Sequence, residues 1–291
     1  MEEKRNFDLL TLGQVLLRLS PPNNDRLVRG DTFVKQVGGA ELNVAVGVAL
    51  LGLRTGVISK LPSHDMGSFM KGKIRSYGVS DDFFMYDDSP SARVGIYYYE
   101  NGAYPRKPKV IYDRANSSFY SLKIDEIPEK AYTASRCFHT SGITLALSPK
   151  VRETAIEMIK RFKAAGTLVS FDVNFRGNLW TGEEAKECIE QILPYVDIFF
   201  CSEDTARLTF KKTGTAREMM KSFTEEYPIS IVASTQRIVH SPKSHTFGSI
   251  IYDARKDIYY EEEPYRDIDV VDRIGSGDAY ISGALYGLLT S

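Results

Sequence analysis

The chain has 291 residues, of which 43% are hydrophobic and 26% charged, and its formal net charge is -1. This is the usage of an ordinary globular protein with ample material for a core. Its near-neutral balance offers no field to draw in nucleic acid or an anionic membrane, so neither is an expected partner. Cys137, Cys188 and Cys201 are far apart and make no Cys-x-x-Cys pair, which excludes a zinc ribbon or thioredoxin-type site and reads as reduced thiols in a cytoplasmic protein. The start, Met1 to Asn6, leads into a short strand rather than a signal peptide, and no apolar stretch approaches the ~20 residues of a membrane span.

Short apolar runs alternate with helical patterns along most of the chain. Phe7 to Gly13 is a predicted strand, Glu41 to Leu51 a helix, Thr55 to Leu61 a strand and Met66 to Tyr77 a helix. Arg136 to Thr140 (strand), Pro149 to Ala165 (helix) and Thr167 to Asp172 (strand) repeat the scheme. Gly182 to Leu193 (helix), Val196 to Cys201 (strand), Thr215 to Tyr227 (helix) and Ile229 to Thr235 (strand) continue it. The alternation implies βαβ units and a mostly parallel sheet. Gln14 to Val37 and Arg93 to Tyr120 break the beat: they hold strand-like runs such as Val94 to Tyr99 and Val110 to Tyr112, but no helix. They read as a small antiparallel sheet placed as a lid.

Three runs carry the chemistry. In the first, a strand-like segment from Ile268 enters Gly275-Ser276-Gly277-Asp278, followed by a helix from about Ala279 to Leu289. Open amides at such a helix start form an anion site, and an adjacent aspartate can accept a proton from an attacking hydroxyl. In the second, Asp172, Asn174 and Arg176 alternate on one face at the end of a buried strand, where parallel sheets bind ligands. In the third, Gly38-Gly39 feeds a helix whose first turn holds Glu41 and Asn43, letting backbone approach a hydroxylated ligand that Asn43 can hydrogen-bond. Taken singly, each run also reads as a tight turn, a helix cap or a surface ion pair, and the glycine–aspartate run alone favours the cap. His64, His139, His240 and His245 have no metal-site spacing and read as core or surface histidines. The Tyr97-Tyr98-Tyr99 run reads as lid packing, with one ring available to a ligand.

Together the three runs resemble, in order and spacing, the ribokinase-like (PfkB) carbohydrate kinase family over essentially the whole chain. The resemblance implies an α/β fold, a three-layer sandwich with a mostly parallel central sheet and a small β-sheet lid. The core is then 1–13, 38–92 and 121–291, and the lid 14–37 and 93–120. The family's Asp-Thr-x-Gly-Ala-Gly-Asp appears here as Asp272-Arg273-Ile274-Gly275-Ser276-Gly277-Asp278, and its Asp-Arg start is similar to that of 2-keto-3-deoxygluconate kinases. The resemblance makes Asp278 the base and Gly275, Ser276 and Gly277 the anion hole. It implies ATP and Mg2+, with a monovalent cation as a further candidate, and places the nucleotide at Ser202, Thr235, Gly275 and Gly277. It gives the sugar to Gly38, Gly39, Asn43, Tyr97, Tyr112, Arg114, Asn174, Arg176 and Asp278. Two guanidinium groups, Arg114 and Arg176, suit a carboxylate, so the implied acceptor is a sugar acid, 2-keto-3-deoxygluconate, phosphorylated at its 6-hydroxyl. Homodimerisation through the lid is also implied.

Two departures accompany the resemblance. The family's Asn-x-x-Glu becomes Ser202-Glu203-Asp204-Thr205, leaving Glu203 and Asp204 to serve magnesium through water. After Leu289-Thr290-Ser291 the family continues with a helix flanking the adenine, so either the chain is a truncated version or its nucleotide pocket is incomplete, with weaker ATP binding expected. The competing readings are a kinase of a neutral sugar (fructose, ribose) or nucleoside, and a catalytically weak sugar-binding relative. A dinucleotide oxidoreductase is disfavoured, because Leu12-Gly13-Gln14-Val15 lacks a Gly-x-Gly-x-x-Gly turn.

Overall fold

Six consecutive buried residues, Phe7–Leu12, form the first strand, β1, in a computed structural model that describes residues 5–102, 105–241 and 243–291. A strand buried on both faces is what a near-continuous apolar run produces in a parallel sheet. The reading of the chain start falls on Met1–Lys4 and so lies outside the described residues, as do Ala103 and Tyr104 of the second lid excursion. Contacts divide the chain into two units, Met1–Ala131 with Val270–Ser291, and Tyr132–Asp269.

In the first unit β1 is followed by β2 (Leu16–Ser20), β3 (Val34–Gly38), α1 (Ala40–Leu50), β4 (Thr55–Pro62) and α2 (Asp65–Ser76). Strands β5 (Val79–Ser80), β6 (Phe84–Asp87), β7 (Gly95–Glu100) and β8 (Lys109–Asp113) complete its chain-early part. β1 runs parallel to β4, and β4 parallel to β5 and β6. The two excursions, which hold only short 3-10 turns at Pro22–Asn24 and Ser118–Ser121, make a separate four-stranded sheet in the order β3-β2-β7-β8. Its β2–β7 pair is parallel rather than antiparallel, because the whole of α1 to β6 intervenes between the two strands. Leu17, Val37, Val57, Leu61, Met70 and Ile74 share one apolar cluster, so both sheets of this unit pack on common ground.

The second unit starts at the short helix α3 (Lys130–Thr133), which straddles the boundary, and β9 (Ser135–Ser141), and continues with α4 (Gly142–Ala146), α5 (Pro149–Ala164), β10 (Leu168–Asp172) and α6 (Gly182–Glu190). Then come β11 (Ile198–Phe200), α7 (Glu203–Leu208), α8 (Ala216–Glu226), β12 (Ile231–Ser241), β13 (Ser244–Asp253), β14 (Ile258–Glu261) and β15 (Tyr265–Asp269). β9 to β12 are parallel neighbours in sequence order, whereas β13 pairs antiparallel with β12, β14 and β15. Helix starts are written locally: Ser148 caps α5 ahead of Pro149, and Thr181–Glu184 and Thr215–Glu218 form capping boxes for α6 and α8. On α5, Val151, Ala155, Met158 and Phe162 recur at helical spacing and are buried, with Phe162 stacked on Phe138 at 4.0 Å. The chain then returns to the first unit in α9 (Ser276–Thr290).

Candidate active site

The start of α9 is set by Gly275, whose φ of 79° lies in the left-handed region that favours glycine. The helix therefore begins at Ser276, three residues before the predicted Ala279, and Asp278 falls in its first turn. No side chain caps this end, and a Cβ on Gly277 would meet no described atom within 4 Å. Backbone amides at such a helix start can receive an anion.

Asp278 is held from the side by α1. Asn43 Nδ2 donates to Asp278 Oδ2 at 2.7 Å, joining residues 235 apart in the chain. The helices approach closely because Gly47 has no side chain: a Cβ there would lie 2.3 Å from Ser282 Oγ. That hydroxyl donates to Asp278 O at 2.7 Å and also reaches Val44 O at 3.2 Å. Asn43, expected to meet the ligand, uses its Nδ2 to orient the Asp278 carboxylate, and its Oδ1 lies beside Gly38. Gly39, with φ 149°, brings the chain against Gln14, whose carbonyl oxygen would lie 2.6 Å from a Cβ at that position.

The small sheet adds three candidate residues in this unit. Tyr97 is buried on β7, with its ring 6.0 Å from that of Tyr112 on β8 and its hydroxyl beside Gly38. Burial pushes its phenol up to about 12, so it acts as a neutral hydrogen-bonding group. The Arg114 guanidinium lies 5.5 Å from the Tyr112 ring centre, and its Nε donates to Gln14 Oε1 at 2.7 Å. Arg18 on β2 reaches the head of the glycine run: its Nη2 meets Asp272 Oδ2 at 3.0 Å, and its Cζ stands 4.4 Å over the Tyr99 ring. Asp272 Oδ1 in turn accepts from Ile274 N at 2.9 Å, which shapes the turn. Gln14, Arg18 and Ser282 were not among the residues singled out from sequence. Their partners lie far away in the chain, and no local pattern announces them.

The second unit holds the other candidates. β10 ends at Asp172, so Asn174 and Arg176 do not alternate on a strand face as expected. Asn174 takes a positive φ of 37° and donates its backbone N–H to Asp172 Oδ1 at 3.1 Å, a turn that ends the strand. Arg176 is exposed, with Nη1 on the Phe175 carbonyl. Ser202 caps α7 by accepting from Thr205 N at 3.3 Å, and Thr235 lies within β12 opposite Ser249. Glu203 pairs with Arg207 at 2.9 Å and Asp204 is exposed. Among the described residues no group of three or more His, Cys, Asp or Glu side chains forms a metal cage. No helix among the described residues is long and apolar enough to cross a membrane.

The family model described as pfkB family carbohydrate kinase matches residues 6–291. The chain belongs to this family. It is 33% identical over 282 residues to 2-dehydro-3-deoxygalactonokinase of Haloferax volcanii, covering 97% of this chain and 84% of that protein. It is 27% identical over 289 residues to 5-dehydro-2-deoxygluconokinase of Listeria monocytogenes, covering 99% of this chain and 85% of that protein. Among solved structures, 2-dehydro-3-deoxygluconokinase of Thermotoga maritima superposes with a TM-score of 0.91 at 31% identity, over 97% of this chain and 87% of that one. The chain is thus a carbohydrate kinase with the α/β fold of PfkB proteins, a mostly parallel sheet and a smaller one, and its family implies ATP as phosphoryl donor.

Proposed function

We propose that this kinase phosphorylates a small sugar acid, 2-keto-3-deoxygluconate, at its 6-hydroxyl. The observation that carries the acid reading is Arg114, a fixed guanidinium in the same unit as the Asn43-held Asp278. A planar fork of donors matches a carboxylate better than it matches the hydroxyls of a neutral sugar. The names of the Haloferax and Thermotoga relatives, both kinases of 2-dehydro-3-deoxy sugar acids, support the same substrate class.

In this reaction Asp278 accepts the proton of the 6-hydroxyl as its oxygen attacks the γ-phosphorus. The new O–P bond forms while the bond to the β–γ bridging oxygen breaks, and ADP leaves. The first-turn amides of α9 hold the transferring phosphate, with Gly275 and Gly277 keeping side chains out of its way. Tyr97, Tyr112, Gly38 and Asn43 hold the sugar, and Arg114 its carboxylate. In the second unit Asn174 and Arg176 are further sugar residues, and Ser202 and Thr235 serve the nucleotide. Glu203 and Asp204 are the acids to hold hydrated magnesium, which when bound neutralises phosphate charge. A requirement for a monovalent cation is tested by exchanging potassium for a bulky organic cation. The exposed apolar side chains Val34, Val110 and Ile111 support pairing of two copies through the small sheet, which light scattering tests. ATP use and buried, free cysteines support a cytoplasmic location.

A coupled ADP-release assay across sugar acids, fructose, ribose and nucleosides tests the substrate. The acid should give the highest kcat/KM, and preference for a neutral sugar would overturn the acid reading. Asp278→Asn should lower kcat by at least about 10²-fold while the sugar still binds; turnover near wild type would remove Asp278 as base.

A further inference from the structure

Gln14 lies at 3% exposure in the bend between β1 and β2, outside the three sequence runs. Its single amide makes three hydrogen bonds to a segment a hundred residues away. Oε1 accepts from Arg114 Nε at 2.7 Å, and Nε2 donates to Arg114 O at 3.0 Å and to Ser117 Oγ at 2.6 Å. The orientation of this amide is chemically determined, since arginine Nε can only donate and the carbonyl of Arg114 can only accept. One side chain therefore grips both the main chain and the guanidinium of Arg114.

Two glycines make room for it. A Cβ on Gly95 would lie 2.8 Å from Gln14 Nε2, and one on Gly39 would lie 2.6 Å from Gln14 O. Gln14 thus meets the Gly39 turn with its main-chain carbonyl and Arg114 with its side-chain amide. The Tyr112 ring flanks the same guanidinium. A neutral amide fixes the fork without cancelling its charge, whereas a carboxylate in its place would compete with an acidic ligand for it.

We propose that Gln14 is a positioning residue for sugar recognition, holding Arg114 in the orientation in which it binds the acceptor sugar. The proposal rests on the reading of Arg114 as a sugar-binding residue. A Gln14→Met substitution keeps the bulk and removes all three hydrogen bonds; Gln14→Glu keeps the shape and neutralises Arg114. Both, together with Arg114→Met and each double variant, are assayed by steady-state kinetics on whichever sugar wild type uses best. Thermal melts confirm that each variant is folded, and Gln14→Glu carries the test where Gln14→Met is not.

Either Gln14 variant should raise KM about tenfold with kcat changed less than about threefold, a shift of about 1.4 kcal/mol in binding. Arg114→Met should raise KM at least as much, and adding a Gln14 substitution to it should change KM less than twofold further. Multiplying effects in the double variants, a fall in kcat with KM unchanged, or an unaltered KM in Arg114→Met would each overturn the proposal. The acid reading fails separately, through a wild-type preference for a neutral sugar. In that case coupling between the two residues still supports the positioning role, and additivity still overturns it.

Discussion

Replacing Gly39 with alanine should unfold more of this protein than its size suggests, and the adjacent Gly38 supplies the control. At Gly39 the φ of 149° is one that L side chains rarely adopt, costing about 1–3 kcal/mol. The added Cβ would also lie 2.6 Å from the Gln14 carbonyl oxygen, a main-chain atom that cannot swing aside. Forcing that overlap costs a further ~1–3 kcal/mol. The expected loss is about 2–6 kcal/mol, a large share of the ~5–15 kcal/mol that stabilises a typical domain. At Gly38 a Cβ would make only ordinary contacts, 3.4 Å from the Tyr97 hydroxyl and 3.6 Å from Asn43 Oδ1. Gly38→Ala should stay within about 0.5 kcal/mol of wild type in stability. It should nonetheless raise KM for the sugar, because it fills the space between those two polar groups. Urea melts followed by circular dichroism measure both variants. A Gly39→Ala protein within about 0.5 kcal/mol of wild type, or a Gly38→Ala protein as unstable as it, would refute the reasoning.

His139 is fully buried, and burial pushes its imidazole down to about 3 while Ser170 Oγ holds Nδ1 at 2.8 Å. The unfolded chain takes up this proton near the ordinary value of about 6.5, so stability falls as pH drops from there towards 3, by about 2 kcal/mol at pH 5 relative to pH 7. Urea melts at both pH values should show that slope reduced by a comparable amount in His139→Gln; an unchanged slope would contradict it. Cys137, Cys188 and Cys201 are all buried and free, and burial raises each thiol, Cys137 to about 12. Iodoacetamide should leave the folded protein unlabelled by mass spectrometry and modify all three cysteines in urea; rapid native labelling would show that the burial is wrong.

The parts of the fold that follow local rules were legible in the sequence. Thr181, Thr215 and Ser148 announce their helices, and the repeat spacing of Val151, Ala155, Met158 and Phe162 gives the buried face of α5. Gly275 and Gly39 were recognisable because their positive φ favours that residue type. The far half of β12 was missed, since residues from Gln236 to His240 are exposed and show no apolar alternation. Asn174 was placed on a strand face, but its positive φ breaks the alternation that such a reading assumes. The roles of Gln14 and Arg18 were invisible for a different reason. Hydrogen bonds to Arg114 and Asp272 join residues 100 and 254 positions apart, and no window of sequence contains both ends.

The link between Asn43 and Asp278 has a consequence for biosynthesis. A ribosome finishes α1 long before it reaches α9, and the whole second unit is made in between. Until the glycine turn emerges, the first unit lacks the helix that fills the groove beside Gly47 and the carboxylate that Asn43 orients. Closing a gap of 235 positions is slow compared with forming local helices. A nascent chain can therefore form α1 early but completes the Asn43–Asp278 pair only after α9 has been made.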